Sequence, residues 1–450
     1  MSQISLQPMD RARHQSWSRL HPLSPVASLG PVVVSVLVAV SSGIGGPRGG
    51  EAHRQLIIGG LAVLGAIAGL VSWLVTRWRI DGEDLQLEKG LLVRQSFRVP
   101  LARIQAVDVV APLLARLLGL AEVRVVVAGR THHRTRLAFL GTADAARVRA
   151  ELLALAHGLE AATPEPESWP VFQVRNPRLL VGGLLSGAGL ACLIATAVAL
   201  GVTAIRPGAA FTMVPILLAG GTALWQRVGN QYGFRVEEAP DGLRVNRGLL
   251  VTRSETIPFG RVQALVLVQP LLWRPLGWCR LDVDVARAAQ RSDRDEGSRS
   301  LSRMLMPVGS TAEALWMVSR VFPTARLEVP AGAATPRRAL LRAPLSRHYL
   351  AAWFDARFAY ARGGRVRPAT MVLPLEKVQS VRLRQGPVLR ALRLASIHVD
   401  TAGRGWQARA LCRDVGEAGD WIEELSLRAR TARQGGARTG AAATQPLPAG

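Results

Sequence analysis

A short sequence pattern that occurs three times constrains most of the fold of this chain. Each copy begins with a proline, followed three residues later by a cation, then by a β-branched residue and a glutamine, with an arginine thirteen residues after the cation. The copies occupy residues 100–119, 258–277 and, in a weaker form, 374–393. Because chance agreement at so many matched offsets is improbable, we predict three copies of one small domain.

The residues around each copy predict short antiparallel strands and one closing helix. Alternating apolar runs are separated by turn signals such as Asp81-Gly82 and Asp241-Gly242. Apolar residues at helical spacing follow, near residues 142–158, 310–322 and 414–430. The predicted fold class is α+β, with three small β-barrels or sandwiches that are each closed by a C-terminal helix.

Four long apolar runs lie between and before these repeats. They span residues 26–46, 56–76, 179–205 and 208–225, and none contains Asp, Glu, Lys or Arg. Each is close to the ~20 residues that cross the hydrocarbon core as a helix, so we predict two transmembrane hairpins. Two alternatives stay open, namely buried core helices of a soluble protein and, for the first run, a signal peptide.

Arginines at the ends of the apolar runs predict the orientation of the chain. Several arginines precede the first and third runs and follow the second and fourth, whereas the two hairpin loops carry only Arg48, Arg54 and Arg206, partly offset by Glu51. The positive-inside rule therefore places both termini and all three repeats in the cytoplasm.

These patterns divide the chain into nine predicted segments. In order they are a cytoplasmic N-terminal segment (1–25), a transmembrane hairpin (26–76), a first domain (77–158), a linker (159–178), a second hairpin (179–225), a second domain (226–325), a second linker (326–345), a third domain (346–430) and a disordered tail (431–450).

The charge balance predicts an anionic partner. The chain has 56 Lys and Arg against 32 Asp and Glu, a net charge of +24, and residues 355–393 hold nine cations and two acids. We expect contact with anionic lipid headgroups of the bilayer; nucleic acid is disfavoured because few aromatic residues accompany the basic ones. The candidate contact residues are Arg103, Arg116, Arg261, Arg274, Arg365, Arg367, Lys377, Arg382, Arg384 and Arg390. Six of these cations recur at equal motif positions, and recurrence in three copies favours a structural role, in which each side chain pairs with a local carboxylate or carbonyl.

The sequence gives no sign of catalysis. It lacks a phosphate-binding loop, an HExxH zinc pair and a GxSxG nucleophile elbow, and its three cysteines form no CxxC. The pair Asp282 and Asp284 is interpreted as part of a solvated strand edge, and His132-His133 as an exposed loop pair. We predict no catalytic, cofactor-binding or metal-binding residues.

The motif carries a family resemblance. A proline, a cation, a hydrophobic residue and a glutamine, followed by Leu113-Leu114-Ala115-Arg116-Leu117-Leu118-Gly119 or its equivalents, resemble the second class of bacterial pleckstrin-homology (PH-like) domain. An apolar hairpin before each of the first two copies and none before the third is similar to the YdbT-like membrane proteins. The third copy departs from the pattern, with Pro387-Val388 for Leu-Leu and Arg393 for the glycine. The resemblance implies three PH-like barrels, no established enzymatic activity and a link to envelope stress or antimicrobial-peptide resistance.

The predicted function is therefore a membrane-anchored, non-enzymatic scaffold. It would present three cytoplasmic domains to a protein partner, to further copies of itself or to anionic lipid headgroups. The alternative is a membrane protein that exports or detoxifies peptides, which the lack of ionisable residues in the four apolar runs disfavours.

Overall fold

The computed structural model describes a discontinuous set of residues. They are 17–24, 73–81, 84–90, 95–127, 135–156, 166–206, 208, 210–240, 242–286, 304–403 and 407–443, together with 59, 60, 63, 67, 70 and 71. The first compact unit contains Met1–Trp169 and Arg244–Thr256, and the second contains Pro170–Leu243, Ile257–Arg287 and Arg291–Gly450. The predicted first hairpin, at 26–76, lies mostly outside the described residues.

Twenty strands lie in the described residues. They are β1 Ser18–Arg19, β2 Arg77–Asp81, β3 Asp84–Lys89, β4 Gln95–Pro100, β5 Ile104–Pro112, β6 Leu120–Val127, β7 Thr135–Gly141, β8 Trp169–Gln173, β9 Arg235–Ala239, β10 Gly242–Arg247, β11 Val251–Ile257, β12 Val262–Val268, β13 Trp278–Val285, β14 Met304–Ser310, β15 Ala351–Phe354, β16 Phe358–Gly363, β17 Ala369–Pro374, β18 Val378–Arg384, β19 Leu394–Thr401 and β20 Ala408–Asp414.

The helices used below are α1 Leu113–Leu117, α2 Thr142–Ala156, α3 Asn176–Leu184, α4 Gly187–Ile205, α5 Ala210–Gly229, α6 Thr311–Val321, α7 Pro387–Ala391 and α8 Val415–Ala443.

One order of elements occurs three times along the chain. Three strands lead to the motif proline, a 3₁₀ turn carries the motif cation, one strand follows, and then come a short helical turn, two strands and a closing helix. The 3₁₀ turns are Leu101–Arg103, Phe259–Arg261 and Leu375–Lys377, each at the predicted place in its copy. The structure is thus a mixed α and β protein with several sheets, consistent with PH-like domains.

The first copy has its core between two sheets and its closing helix. One sheet has the order β1-β2-β3-β4, and β7-β6-β5 form part of another. Alternate residues of the strands point to the same face, so Leu85 and Leu87 of β3 meet Val123 of β6 and Leu152 of α2 in one apolar cluster. All four side chains are buried.

Successive copies share sheets, which the sequence patterns did not predict. In the first unit β5 of the first copy pairs antiparallel with β11 of the second copy. In the second unit β12 of the second copy pairs antiparallel with β17 of the third copy, giving the sheet order β14-β13-β12-β17-β16-β15. We call these two strand pairs the junctions. The strand after each of the first two motif cations therefore binds the strand that leads to the next motif proline.

Both junctions have the same register relative to the motif. Val110 lies seven residues after the motif cation of the first copy and faces Arg253, five residues before the next motif proline. Val268 and Ala369 occupy the same two positions at the second junction and face each other. Since register in an antiparallel pair decides which side chains reach each face, the same residue positions meet at both junctions.

The second junction also joins two cores. Ala264, Val266 and Val268 of β12 lie in the same apolar cluster as Met371 and Leu373 of β17. That cluster continues into β19 and α8 of the third copy. The core of the third copy is therefore completed by a strand of the copy before it.

The third apolar run is not one helix. Hydropathy predicts a single span over 179–205, but α3 ends at Leu184 and α4 begins at Gly187. Ser186 caps α4 by accepting a hydrogen bond from the Gly189 amide, 3.1 Å away. A Cβ built on Gly182 of α3 would lie 2.6 Å from the Val308 side chain, so α3 packs closely on β14.

Among the described residues one helix, α4, is long and apolar enough to cross a membrane, and 11% of it is buried. The two predicted hairpins stay a prediction. At the other end of the chain, α8 extends through Ala443, past the predicted helix end at 430 and into the segment predicted as a tail. Residues 430–443 contain five alanines and three arginines, which favour helix, and three glycines, which disfavour it.

The motif glycine has a conformational role. Gly119 and Gly277 have φ angles of +68° and +62°, in the left-handed region, and a Cβ built on either would contact no atom within 4 Å. Arg393 holds the same motif position in the third copy with a φ of +50°. The departure of the third copy from the motif therefore leaves the backbone conformation unchanged and places strain on a residue with a Cβ.

We predict that Arg393→Gly stabilises the protein. Removal of a Cβ from a left-handed residue should raise the free energy of unfolding by ~1 kcal/mol. Gly277→Ala is the matched reverse change and should lower it by a similar amount, since space is open and only the φ angle opposes it. Chemical denaturation of the purified chain measures both; a destabilising Arg393→Gly would contradict the assignment of strain.

Candidate interaction surfaces

Two arginines of the first copy bind the second copy at the first junction. The Arg116 Nη1 atom donates to Thr252 Oγ1 at 3.1 Å. Arg149, a buried residue of α2, donates from Nη1 to Ser254 Oγ and from Nη2 to Thr256 Oγ1, both at 2.9 Å. Three alternate hydroxyls of β11 thus accept hydrogen bonds from the preceding copy. A buried cation with oriented hydroxyl partners holds the strand in a fixed position.

The equivalent arginine of the second copy binds the third. Arg274 Nη2 donates to the carbonyl oxygen of Arg365, and its guanidinium lies 5.4 Å from the ring centroid of Tyr349. The Gln269 amide donates to the Pro368 carbonyl at 2.9 Å. Arg116 and Arg274, which share one motif position, therefore both contact the next copy. Contacts of this kind fit the structural role that the sequence suggested for the repeated arginines.

The three motif cations differ in their surroundings. Arg103 is exposed, whereas Arg261 is half-buried and desolvation lowers the pKa of its guanidinium. Lys377 pairs with Glu376, with an Nζ to Oε1 distance of 3.2 Å. The buried Gln263 donates to the Arg261 carbonyl at 3.2 Å, which fits a hydrogen-bonding role in that copy, whereas Gln379 is exposed.

The leucines beside the motif arginines are exposed in the first two copies. We call residues 113–118 and 271–276 the knuckles. One residue anchors each knuckle in the interior, Ala115 in the first and Trp273 in the second. The remaining apolar side chains point outward, the most exposed being Leu117 at 74%. The others are Leu113, Leu114, Leu118, Leu271, Leu272 and Leu276. Exposed apolar clusters of this kind mark protein or membrane contact sites.

The third copy has a basic sheet. Arg382 and Arg384 lie two residues apart on β18 and point to the same face, and Arg382 binds Asp400 with an Nη2 to Oδ1 distance of 2.8 Å. His398 faces Arg382 across the β18 and β19 pair. Burial, then the charges of Arg409, Arg384 and Arg382, lower the pKa of His398, and the carboxylate of Asp400 partly opposes this shift.

The remaining candidates of this copy are also exposed. Arg365 and Arg367 lie in the turn between β16 and β17, and Arg390 lies in α7. The guanidinium of Arg390 makes no hydrogen bond or ion pair with any residue that the structure describes. Its motif position is that of Arg116 and Arg274.

The aspartate pair of β13 corrects one interpretation of the sequence. Asp282 and Asp284 are both buried instead of lying at a solvated edge, and Asp282 Oδ2 is 2.6 Å from Arg280 Nη2. The Asp284 carboxylate packs against Gly403, where a Cβ would collide with it. The strand lies inside the sheet, between β12 and β14, which the alternating charge pattern did not indicate.

Sequence reasoning also missed Arg149. The signal was present in β11, where hydroxyl residues alternate at Thr252, Ser254 and Thr256. Such alternation predicts a polar strand face, but nothing local indicates that a helix of another copy contacts it. Among the described residues no group of three or more His, Cys, Asp or Glu side chains could hold a metal ion.

Comparison with known families identifies the class of protein. The family model of the bacterial PH domain matches residues 25–156, 179–306 and 311–429, more than half of the chain. This chain therefore belongs to the bacterial PH domain family, in three copies. No curated protein and no solved structure matches it.

The three matches confirm the predicted internal repeat and the PH-like resemblance; the narrower YdbT-like identity stays a prediction. PH-like domains are generally non-catalytic interaction modules that bind lipids or proteins, and no enzyme family is indicated.

We predict that Arg149 holds the first junction together. Arg149→Ala should lower the free energy of unfolding by ~2–3 kcal/mol, because the half-buried hydroxyl of Ser254 and the buried hydroxyl of Thr256 lose a charged donor. Amide exchange within 251–257 should accelerate. Arg147→Ala is the control, since Arg147 lies on the same helix, is exposed and pairs with Asp144.

Hydrogen exchange with mass spectrometry on the full chain measures the effect at β11. Equal exchange in the two variants would contradict the role given to Arg149.

Proposed function

We propose that this protein is a membrane-anchored, non-enzymatic scaffold whose three PH-like domains lie on the cytoplasmic face of a bacterial plasma membrane and contact anionic lipid or protein there. The apolar runs supply the anchors, in hairpins at 26–76 and 179–225. The observation that carries the surface contact is the knuckle, where exposed leucines accompany a motif arginine in each of the first two copies. The envelope-stress role rests on the family resemblance alone.

Hairpin anchoring is supported by α4 and α5. The Cβ position of Gly220 on α5 is 3.5 Å from Cys192 Sγ on α4, so small residues allow the two helices to approach closely. Arg206 lies between them, whereas Arg175 precedes α3, Arg178 lies in the first turn of α3 and Arg235 follows α5. By the positive-inside rule this distribution favours a short external loop and internal flanks.

The knuckles are suited to the membrane interface. Aliphatic side chains gain ~0.8 kcal/mol for each buried CH₂ group, and Arg hydrogen-bonds phosphate in a bidentate manner. Anchoring already holds each domain near the bilayer, so weak contacts suffice. In the first two copies Arg116 and Arg274 already contact the next copy, and the leucines therefore supply most of the lipid contact. The third copy has the exposed Val388 at this position, with Arg390.

We predict that a label at the knuckle enters the lipid interface. Leu117→Cys and Leu276→Cys, each carrying a nitroxide, should be more accessible to oxygen than to a water-soluble relaxer in proteoliposomes with anionic lipid. Leu427→Cys, an exposed leucine on α8, is the control. Native Cys279 and Cys412 do not compete, because both are buried and burial raises the pKa of the Cys279 thiol to about 12. Cys192→Ala removes the third thiol.

Water-like accessibility at both knuckle sites, equal to that of the control, would remove the surface-contact proposal. Insertion that is independent of anionic lipid would leave an apolar contact and remove the headgroup part.

We predict that the α4–α5 loop faces outward. In the Cys192→Ala background, Arg206→Cys should react with a membrane-impermeant maleimide in intact spheroplasts, whereas Leu427→Cys should react only after permeabilisation. The reverse pattern would contradict the proposed topology.

A further inference from the structure

Among the edge strands of the described sheets, two hold the motif positions that pair at the junctions but are not paired there themselves. In the sheet β18-β19-β20, β18 is an edge strand, and in the sheet β1-β2-β3-β4, β4 is an edge strand. β18 follows the third motif cation, as β5 and β12 follow the first two. β4 ends at the first motif proline, in the place that β11 and β17 hold before the later ones.

We propose that β18 of one chain pairs antiparallel with β4 of a second copy, so that the chains assemble head to tail through a third junction. The occupant is a second copy because each edge has the strand type that its counterpart binds twice within the chain. The partner of the scaffold is then a second copy of itself. This inference rests on the proposed function in one respect: β18 and β4 must lie on the same side of the membrane.

The shared register of the two junctions predicts the register of the third. Residues seven, six, five and four positions after Lys377 would face residues five, four, three and two positions before Pro100. The resulting pairs are Arg384 with Gln95, Leu383 with Ser96, Arg382 with Phe97 and Val381 with Arg98.

The side chains at these positions are compatible with pairing. No two like charges face each other directly, and Arg382 would face an aromatic ring, which attracts a guanidinium. The carboxylate of Asp400 already binds Arg382 on its own sheet. Polar residues at this position are not unusual, because the equivalent residue at the first junction is Asp108.

The exposure of the two strands agrees with a missing neighbour. Five of the seven residues of β18 are exposed, whereas the equivalent strand β12 has none exposed. Three of the six residues of β4 are exposed. Leu383, at 41% exposure, would be covered by the incoming strand.

Arg390 provides a second, independent indication. Its two equivalents each donate a hydrogen bond to the copy that follows, Arg116 to Thr252 and Arg274 to the Arg365 carbonyl. Residues 431–450 do not contain the motif, and the Arg390 side chain is exposed. A second chain would supply the missing acceptor.

The contact is heterologous, because the two surfaces are different. Heterologous contacts continue from chain to chain and produce either a closed ring or an open filament. For chains held in one membrane, both outcomes keep the junctions on the same side of the bilayer.

Disulfide formation between two differently tagged full-length chains tests the register. In a Cys192→Ala background, one chain carries Leu383→Cys and the other Ser96→Cys; a second matched pair carries Arg382→Cys and Phe97→Cys. Neighbouring antiparallel pairs alternate in spacing, so one of the two lies at a closely spaced position. Leu383→Cys with Gln95→Cys is the mismatched control, whose side chains point to opposite faces.

We expect a disulfide between the two tags for at least one matched pair and its loss in the mismatched control. Ser380→Cys with Asp400→Cys in one chain is the positive control, because these residues face each other in the β18 and β19 pair. Oxidation of this control without any between-tag product at either matched pair would overturn the proposal. So would a double variant, Leu383→Cys with Ser96→Cys in one chain, that yields only disulfides within single chains.

Failure of this test would leave the knuckle and topology measurements unaffected, because neither depends on contact between chains. Failure of those measurements would likewise leave a between-tag disulfide as proof of the third junction.

Discussion

The hydrogen-bonded pairing of strands from successive copies is the interaction on which the rest of this structure depends. A PH-like copy splits its strands between two sheets, and a split of this kind leaves backbone N–H and C=O groups at an open edge. Buried backbone groups without partners are costly, and open edges invite unwanted pairing. At each junction the next copy supplies the partner strand, as at β5 with β11 and β12 with β17. The copies are therefore coupled units, unlike domains joined by a passive linker.

The two junctions reach the same register by different chemistry. At the first, a buried arginine of α2 binds hydroxyls of β11, and Arg247 pairs with Glu255 within the second copy. At the second, aliphatic side chains of β12 enter the core of the third copy. If β11 took the place of β17, its hydroxyl groups would lack the Arg149 donor. If β17 took the place of β11, Arg149 would lose a hydrogen-bond acceptor. Differences of this kind distinguish the correct partner from the wrong copy, although all three copies share a motif.

The order of strands and helices could be predicted because the patterns that determine it are local. The motif proline, the turn dipeptides and the helical spacing of apolar residues all lie within one copy, and the structure has the elements in that order. The pairing between copies could not be predicted in this way, since it joins segments more than 100 residues apart. The residue pattern of a strand does not indicate which other strand it pairs with. Buried Asp282 and Asp284 show the same limit, because charge alternation in β13 indicated a solvated edge.

Hydropathy alone was likewise insufficient at the third apolar run. Residues 179–205 have the composition of one long span, yet Gly182 lies against Val308 and Ser186 begins a new helix. Hydropathy summed over a window of residues cannot distinguish an apolar surface that contacts lipid from one that contacts β14, because both contacts remove the same side chains from water. Only the cap at Ser186 was a local signal of the break.

The arginines fall into two groups: some bind acceptors within the protein, and others are exposed and can contact an external anion. Arg116, Arg149 and Arg274 have acceptors in the next copy, so their charge is used inside the protein. The third copy carries exposed cations at Arg365, Arg367, Arg384 and Arg390. Charged side chains on an exposed edge suppress indiscriminate pairing. On β18 Asp400 balances Arg382, and in the proposed register the exposed Arg384 would face Gln95 while Arg98, the one cation of β4, would face Val381.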